Sequence, residues 1–95
     1  MNIGNVSRAD CYAATMKLLA VAQRNTGQSR RSANFLLAWW NSDANGGFPL
    51  HDLWNVDRDL QEAMTTVFLY VRDNWEYPTA LGLGQEFEDL VDRWR

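Results

Sequence analysis

A chain of 95 residues with 46% apolar and 22% charged side chains has the make-up of one small globular domain, which excludes a disordered or fibrous protein. At this length a helical domain buries about 60 to 70% of the surface that its unfolded chain exposes, enough for one core. The net charge of −3 is uneven, because residues 1–41 carry five cations (Arg8, Lys17, Arg24, Arg30, Arg31) against Asp10, and residues 42–95 carry four arginines against eleven acids. The halves attract, so the asymmetry is either internal complementarity or an acidic face for a basic partner.

Ser7 or Asp10 can cap a first helix by accepting a hydrogen bond from the free amides of its first turn. The helix is predicted to run to about Arg24, with Tyr12, Met16, Leu19 and Ala22 or Gln23 on one face and Leu18 and Val21 broadening it. Gly27 can take the left-handed conformation that closes such a helix. Ser29 is then the expected cap of a second helix from Arg30 to about Trp40. Ala33, Leu36, Leu37 and Trp40 form one stripe of it and Phe35 and Trp39 an adjacent one, so the helix is apolar around most of its circumference and should be central.

Asn41 to Gly47 has turn chemistry throughout, with two glycines able to adopt positive φ. Phe48-Pro49-Leu50 is expected to re-enter the core, and Pro49 to open a short helical turn through Trp54. Asn55 or Asp57 caps a third helix, about Arg58 to Asn74, in which Val56, Leu60, Met64, Val67, Val71 and Trp75 step by four or three and Ala63 and Phe68 widen the face. Tyr77-Pro78 breaks the chain, with Gly82 and Gly84 keeping the next residues loose or turned. A fourth helix follows from about Gln85 to Trp94. Leu83, Phe87, Leu90, Val91 and Trp94 make its apolar stripe, with Glu86, Glu88, Asp89, Asp92 and Arg93 opposite. The expectation is an all-α single domain over residues 1–95, a compact bundle of four main helices with one short helical turn between the second and third.

The chemical constellations are thin. His51-Asp52 is the nearest approach to an acid-base pair, but adjacent helical residues point about 100° apart and no second histidine exists. Cys11, the single cysteine, has no base near it in sequence and reads as a small buried hydrophobe. The paired carboxylates lack the histidine or cysteine partners of a transition-metal site. No enzyme, no metal and no cofactor are therefore expected. Arg24, Arg30 and Arg31 flank the Gly27 turn as a candidate nucleic-acid patch, but a second helix reading FLLAWW is too apolar for a wet major groove. Of the paired tryptophans, Trp39 and Trp40, at least one is expected in the core, and the other is a candidate binding anchor. A lone cysteine, an N-terminus without a basic and apolar leader, and no apolar run near about 18 residues point to a cytoplasmic protein with no membrane association.

The stretches TGQSR, FLLAWWN, GGF, DLW, VD, YP, LG, FE and WR, spread over Thr26 to Arg95, resemble those of a family of short proteins encoded on integrative elements and plasmids of Pseudomonas-like proteobacteria. The resemblance brings no activity or site with it. It implies a mobile-element origin, and such elements carry small acidic proteins that block host defences by binding, CRISPR inhibitors among them. The functional expectation is a non-enzymatic protein-binding module acting by surface occupation. Trp39, Trp40, Glu86, Asp89 and Asp92 are its candidate partner-binding residues, and a host defence complex is the sharpest partner. The alternative is a nucleic-acid-associated accessory protein using Arg24, Arg30 and Arg31. A small enzyme centred on His51 is the third reading, and a homodimer through an exposed tryptophan the fourth.

Overall fold

The computed structural model describes residues 5–95, which fold into four α-helices and two 3-10 turns with no strand among them. The helices are α1 (Arg8–Ala22), α2 (Gly27–Asn45), α3 (Arg58–Asp73) and α4 (Gly84–Trp94). One 3-10 turn, Leu50–Asn55, lies where the short helical turn is predicted; a second, Pro78–Leu81, occupies the stretch read as loose. The all-α bundle is thus as expected.

Both candidate caps of α1 act together. The Ser7 hydroxyl accepts from the Asp10 amide at 3.0 Å, and the Asp10 carboxylate accepts from the Ser7 amide at 3.3 Å, a reciprocal capping box. The buried face of α1 matches the predicted one at Leu18, Leu19 and Ala22 and departs from it at Tyr12 and Met16. Cys11, Ala14, Thr15, Leu18, Leu19 and Ala22 are buried, whereas Tyr12 and Met16 are exposed. The reason is size: α1 lies between α2 and α3, and small side chains at positions 11, 14, 15 and 22 let both approach closely. Thr15 is tolerated there because its hydroxyl donates to the Cys11 carbonyl at 2.7 Å.

α2 starts one turn earlier than predicted. Thr26, not Ser29, is its cap, with Oγ1 accepting from the Ser29 amide at 3.0 Å. Ser29 itself is buried, its hydroxyl bonded to that of Thr26 at 2.8 Å. Gly27 is therefore the first residue of α2 and has no positive φ; among the described residues the glycines with positive φ are Gly46 and Gly82. The regular part of α2 ends at the predicted place. Asn41 leaves helical geometry (φ −169°, ψ 91°), and its side chain caps one last turn by accepting from the Ala44 amide at 3.2 Å.

Asp57 holds the N-cap position of α3 but makes no capping bond, because its carboxylate accepts from the Gln28 side chain at 3.2 Å. Gln28 also accepts from the Asp57 amide at 2.7 Å, so the first turn of α2 docks the entry to α3. Leu60, Ala63, Met64, Val67 and Tyr70 form the buried side of α3, which packs on α1. Phe68 does not widen this face: it stands 68% exposed on the side turned toward α2. Phe87 and Leu90 of α4 are fully buried against α2. The indole of Trp94 donates to the Ala22 carbonyl at 2.9 Å, satisfying one of the free carbonyls at the end of α1.

Candidate functional site

α2 and α3 both pack on α1, on its two flanks, and touch each other little. The space between them is an open groove. At one end it holds about 490 Å³ and is bounded by Phe35, Phe48, Leu50, Leu53 and Phe68. At the other it holds about 850 Å³ and is bounded by Trp40, Asp43, Trp75 and Tyr77. Ala38, Trp39 and Val71 belong to both, so they are the shared floor. Volumes of this size fall in the range of binding clefts, about 300 to 1,000 Å³.

The floor is set by the doubled aromatic pair. Trp39 meets the Phe87 ring edge-on, centroids 5.9 Å apart, and Trp40 meets the same ring at 5.5 Å and a 34° tilt. Both indoles are half-buried, and both line the groove. The Trp39 N–H donates to the Glu76 carbonyl at 2.9 Å, which satisfies the one polar atom of that ring.

The most exposed large apolar side chains lie elsewhere. Trp75 is 96% exposed, because Asn74 leaves helical geometry (φ −135°, ψ 111°) and the stripe of α3 ends one step before it. Trp54 is 81% and Leu50 80% exposed, so Phe48 and Leu53 are the apolar anchors of the Phe48 to Trp54 segment; the Phe48 ring meets Phe35 edge-on at 5.4 Å. Asn74 and Tyr77 have extended backbone, and between them the Glu76 amide donates to the Asn74 carbonyl at 2.7 Å, closing a tight turn at Trp75. Trp75 and Tyr77 point outward while Glu76 turns in. Its carboxylate accepts from the buried Tyr70 hydroxyl at 2.8 Å and pairs with Arg8 at 3.2 Å. The same contacts hold the Arg8 guanidinium above its ordinary pKa, chiefly through Tyr70 and then the Glu76 charge. Glu76 thus fastens the aromatic loop to α1, α2 and α3 at once. The cue in sequence is Trp-Glu-Tyr-Pro itself, since a residue before proline is driven toward extended backbone.

The remaining predicted site residues are spread over other surfaces. Arg31 ion-pairs with Asp52 at 3.7 Å and its guanidinium donates to the Asn55 carbonyl at 3.4 Å, tying α2 to the first 3-10 turn. Arg24 and Arg30 are exposed and make no ion pair among the described residues. The candidate nucleic-acid patch is therefore two free arginines beside one engaged. Glu86, Asp89 and Asp92 are exposed on α4, Asp89 accepting from the Gln85 side chain at 2.9 Å, and none of the three lines the groove. The charge asymmetry resolves into both of its alternatives. Asp52, Asp59 and Glu76 neutralise Arg31, Lys17 and Arg8, while the acids of α4 face solvent without an ion pair among the described residues.

His51 lies 3.6 Å from the Asp52 carboxylate with most of its ring exposed, and Asp52 is shared with Arg31. Cys11 is sealed in the core and burial pushes its thiol pKa up, the opposite of what a nucleophile needs. Among the described residues no three His, Cys, Asp or Glu side chains are placed to hold a metal ion, and no helix is long and apolar enough to cross a membrane.

A family model matches residues 12–95, which takes in most of α1, all the other helices and the whole groove. The chain belongs to DUF7673, a family of unknown function. No curated protein and no solved structure matches the chain.

Proposed function

We propose that this member of DUF7673 is a non-enzymatic protein-binding module that works by seating part of a partner in the α2–α3 groove. The observation that supports this reading is the unsatisfied apolar surface there. Leu50, Phe68, Trp75 and Tyr77 stand exposed around one continuous floor, and contiguous apolar surface of this kind on a small soluble protein marks an interaction site. Exposed tryptophan and tyrosine at its rim are the residue types that dominate binding energy. A mobile-element origin and a host defence complex of the CRISPR kind as the partner belong to the same proposal and rest on the resemblance in sequence; a cytoplasmic setting belongs to it too and rests on the lone cysteine and the lack of a long apolar run.

The test is affinity capture from a nuclease-treated host lysate containing active CRISPR complexes, run in parallel with wild type, Phe68→Asp and Trp75→Ala. The expected result is a defence-complex partner retained by wild type after nuclease and lost by both variants. An identical set of captured proteins for all three baits would overturn the groove as the binding surface. Dependence of capture on nucleic acid would instead favour the exposed Arg24 and Arg30.

A further inference from the structure

The two ends of the groove differ in chemistry, and the difference specifies what it can hold. The Phe35 to Phe68 end is lined almost wholly by carbon, with no charged side chain. The Trp75 end adds two carboxylates, Asp43 and Glu76, to its rings. Among the described residues no lysine, arginine or histidine lines either end. The Glu76 carboxylate is already engaged by Tyr70 and Arg8, which leaves Asp43, exposed and without an ion pair among the described residues, as the uncompensated charge.

Ring faces of tryptophan and tyrosine carry negative electrostatic potential and attract a cation lying over them. Trp40, Trp75 and Tyr77 bound one cavity together with Asp43, so rings and carboxylate favour the same sign of charge in an occupant. An acidic segment would be repelled by both. We infer that the groove takes a basic amphipathic segment of a partner protein, its apolar side chains lying along Phe35, Phe48 and Phe68 and its arginine or lysine among Trp40, Trp75 and Tyr77 beside Asp43. This deepens the proposed function and rests on the groove being the binding surface. It also gives the uneven charge of the chain a use, because the acids of α4 add long-range attraction for a basic partner.

The probe is a displayed library of helical peptides randomised in composition, selected on the full-length protein and counter-selected on Phe68→Asp. Peptides that depend on Phe68 should be enriched in arginine or lysine at a fixed distance from large apolar residues. Asp43→Asn and Trp75→Ala should each weaken the best of them by about 3- to 30-fold, the range expected for one cation–π contact or ion pair at a partly screened site. Replacement of the peptide's basic residue by glutamine should remove that sensitivity.

Groove-dependent peptides with no basic preference would overturn the inference and leave the groove reading standing. Peptides indifferent to Phe68→Asp, or no enrichment at all, would overturn both. Sedimentation of the wild type as a dimer that Phe68→Asp converts to monomer would make a second copy the occupant, and that too would overturn the inference.

Discussion

On the side of α2 that meets α1 and α4, Ala33, Leu36 and Leu37 are fully buried and the Phe87 ring lies against Trp39 and Trp40. On the side that faces α3, Phe35, Ala38 and Trp39 border an open groove, and the opposing Phe68 is two-thirds exposed. The helix is apolar on both sides, yet the fold closes only one. Stability explains the first side: burying a large apolar side chain contributes about 1.5 to 3 kcal/mol. It does not explain the second, where Phe35 and Trp39 stay partly exposed and Phe68 mostly so. A small core needs one closed seam, and the apolar surface left over is free for a partner.

The contrast can be broken or sharpened by experiment. The largest effect is chemical. Cys11 is fully buried and burial raises its pKa, so a thiol reagent should label the native protein at least about a thousandfold more slowly than the unfolded chain, at a rate set by opening. Rapid labelling of the native protein would show that the α1 seam is loose. Phe87→Ala, which removes the ring shared by the two tryptophans, should lower stability by about 3 to 5 kcal/mol in urea melts and collapse the near-ultraviolet dichroism of the indoles.

Tyr70→Phe removes the hydrogen bond to Glu76 and should destabilise by about 1 kcal/mol. Arg8→Ala, whose exposed ion pair meets the same carboxylate, should do less, and its effect should shrink in salt. On the open side, Phe68→Asp and Trp75→Ala should change stability by no more than about 0.5 kcal/mol. A large loss from Trp75→Ala would mean that the rim is structural.

Much of the closed side was legible in the sequence. The stripes Leu60-Met64-Val67 and Leu83-Phe87-Leu90 are long, regular and bounded by turn residues, so α3 and α4 could be placed within a residue or two. On α1 the expected Cys11, Leu18, Leu19 and Ala22 are buried, but bulk alone favours Tyr12 and Met16, whereas close packing on two flanks selects Ala14 and Thr15. At Gly27 the competing signal was Thr26, which caps α2 and starts it one turn early.

The groove itself could not be read off a periodicity. Periodicity shows which face of a helix is apolar, not whether a neighbour covers it. That α2 and α3 stand apart on the flanks of α1 is a property of the tertiary arrangement. Trp75 looked like the next step of the α3 stripe and became a surface anchor only because the helix ends at Asp73.

The account turns on whether the open side of α2 is where a partner sits. The most direct measurement is the binding isotherm of the captured partner for wild type and Phe68→Asp, with melting curves recorded on the same samples. The account predicts coincident melting curves and a loss of affinity of about 2 kcal/mol or more, roughly thirtyfold, as for a binding hot spot. Coincident melting curves with an unchanged isotherm would contradict it.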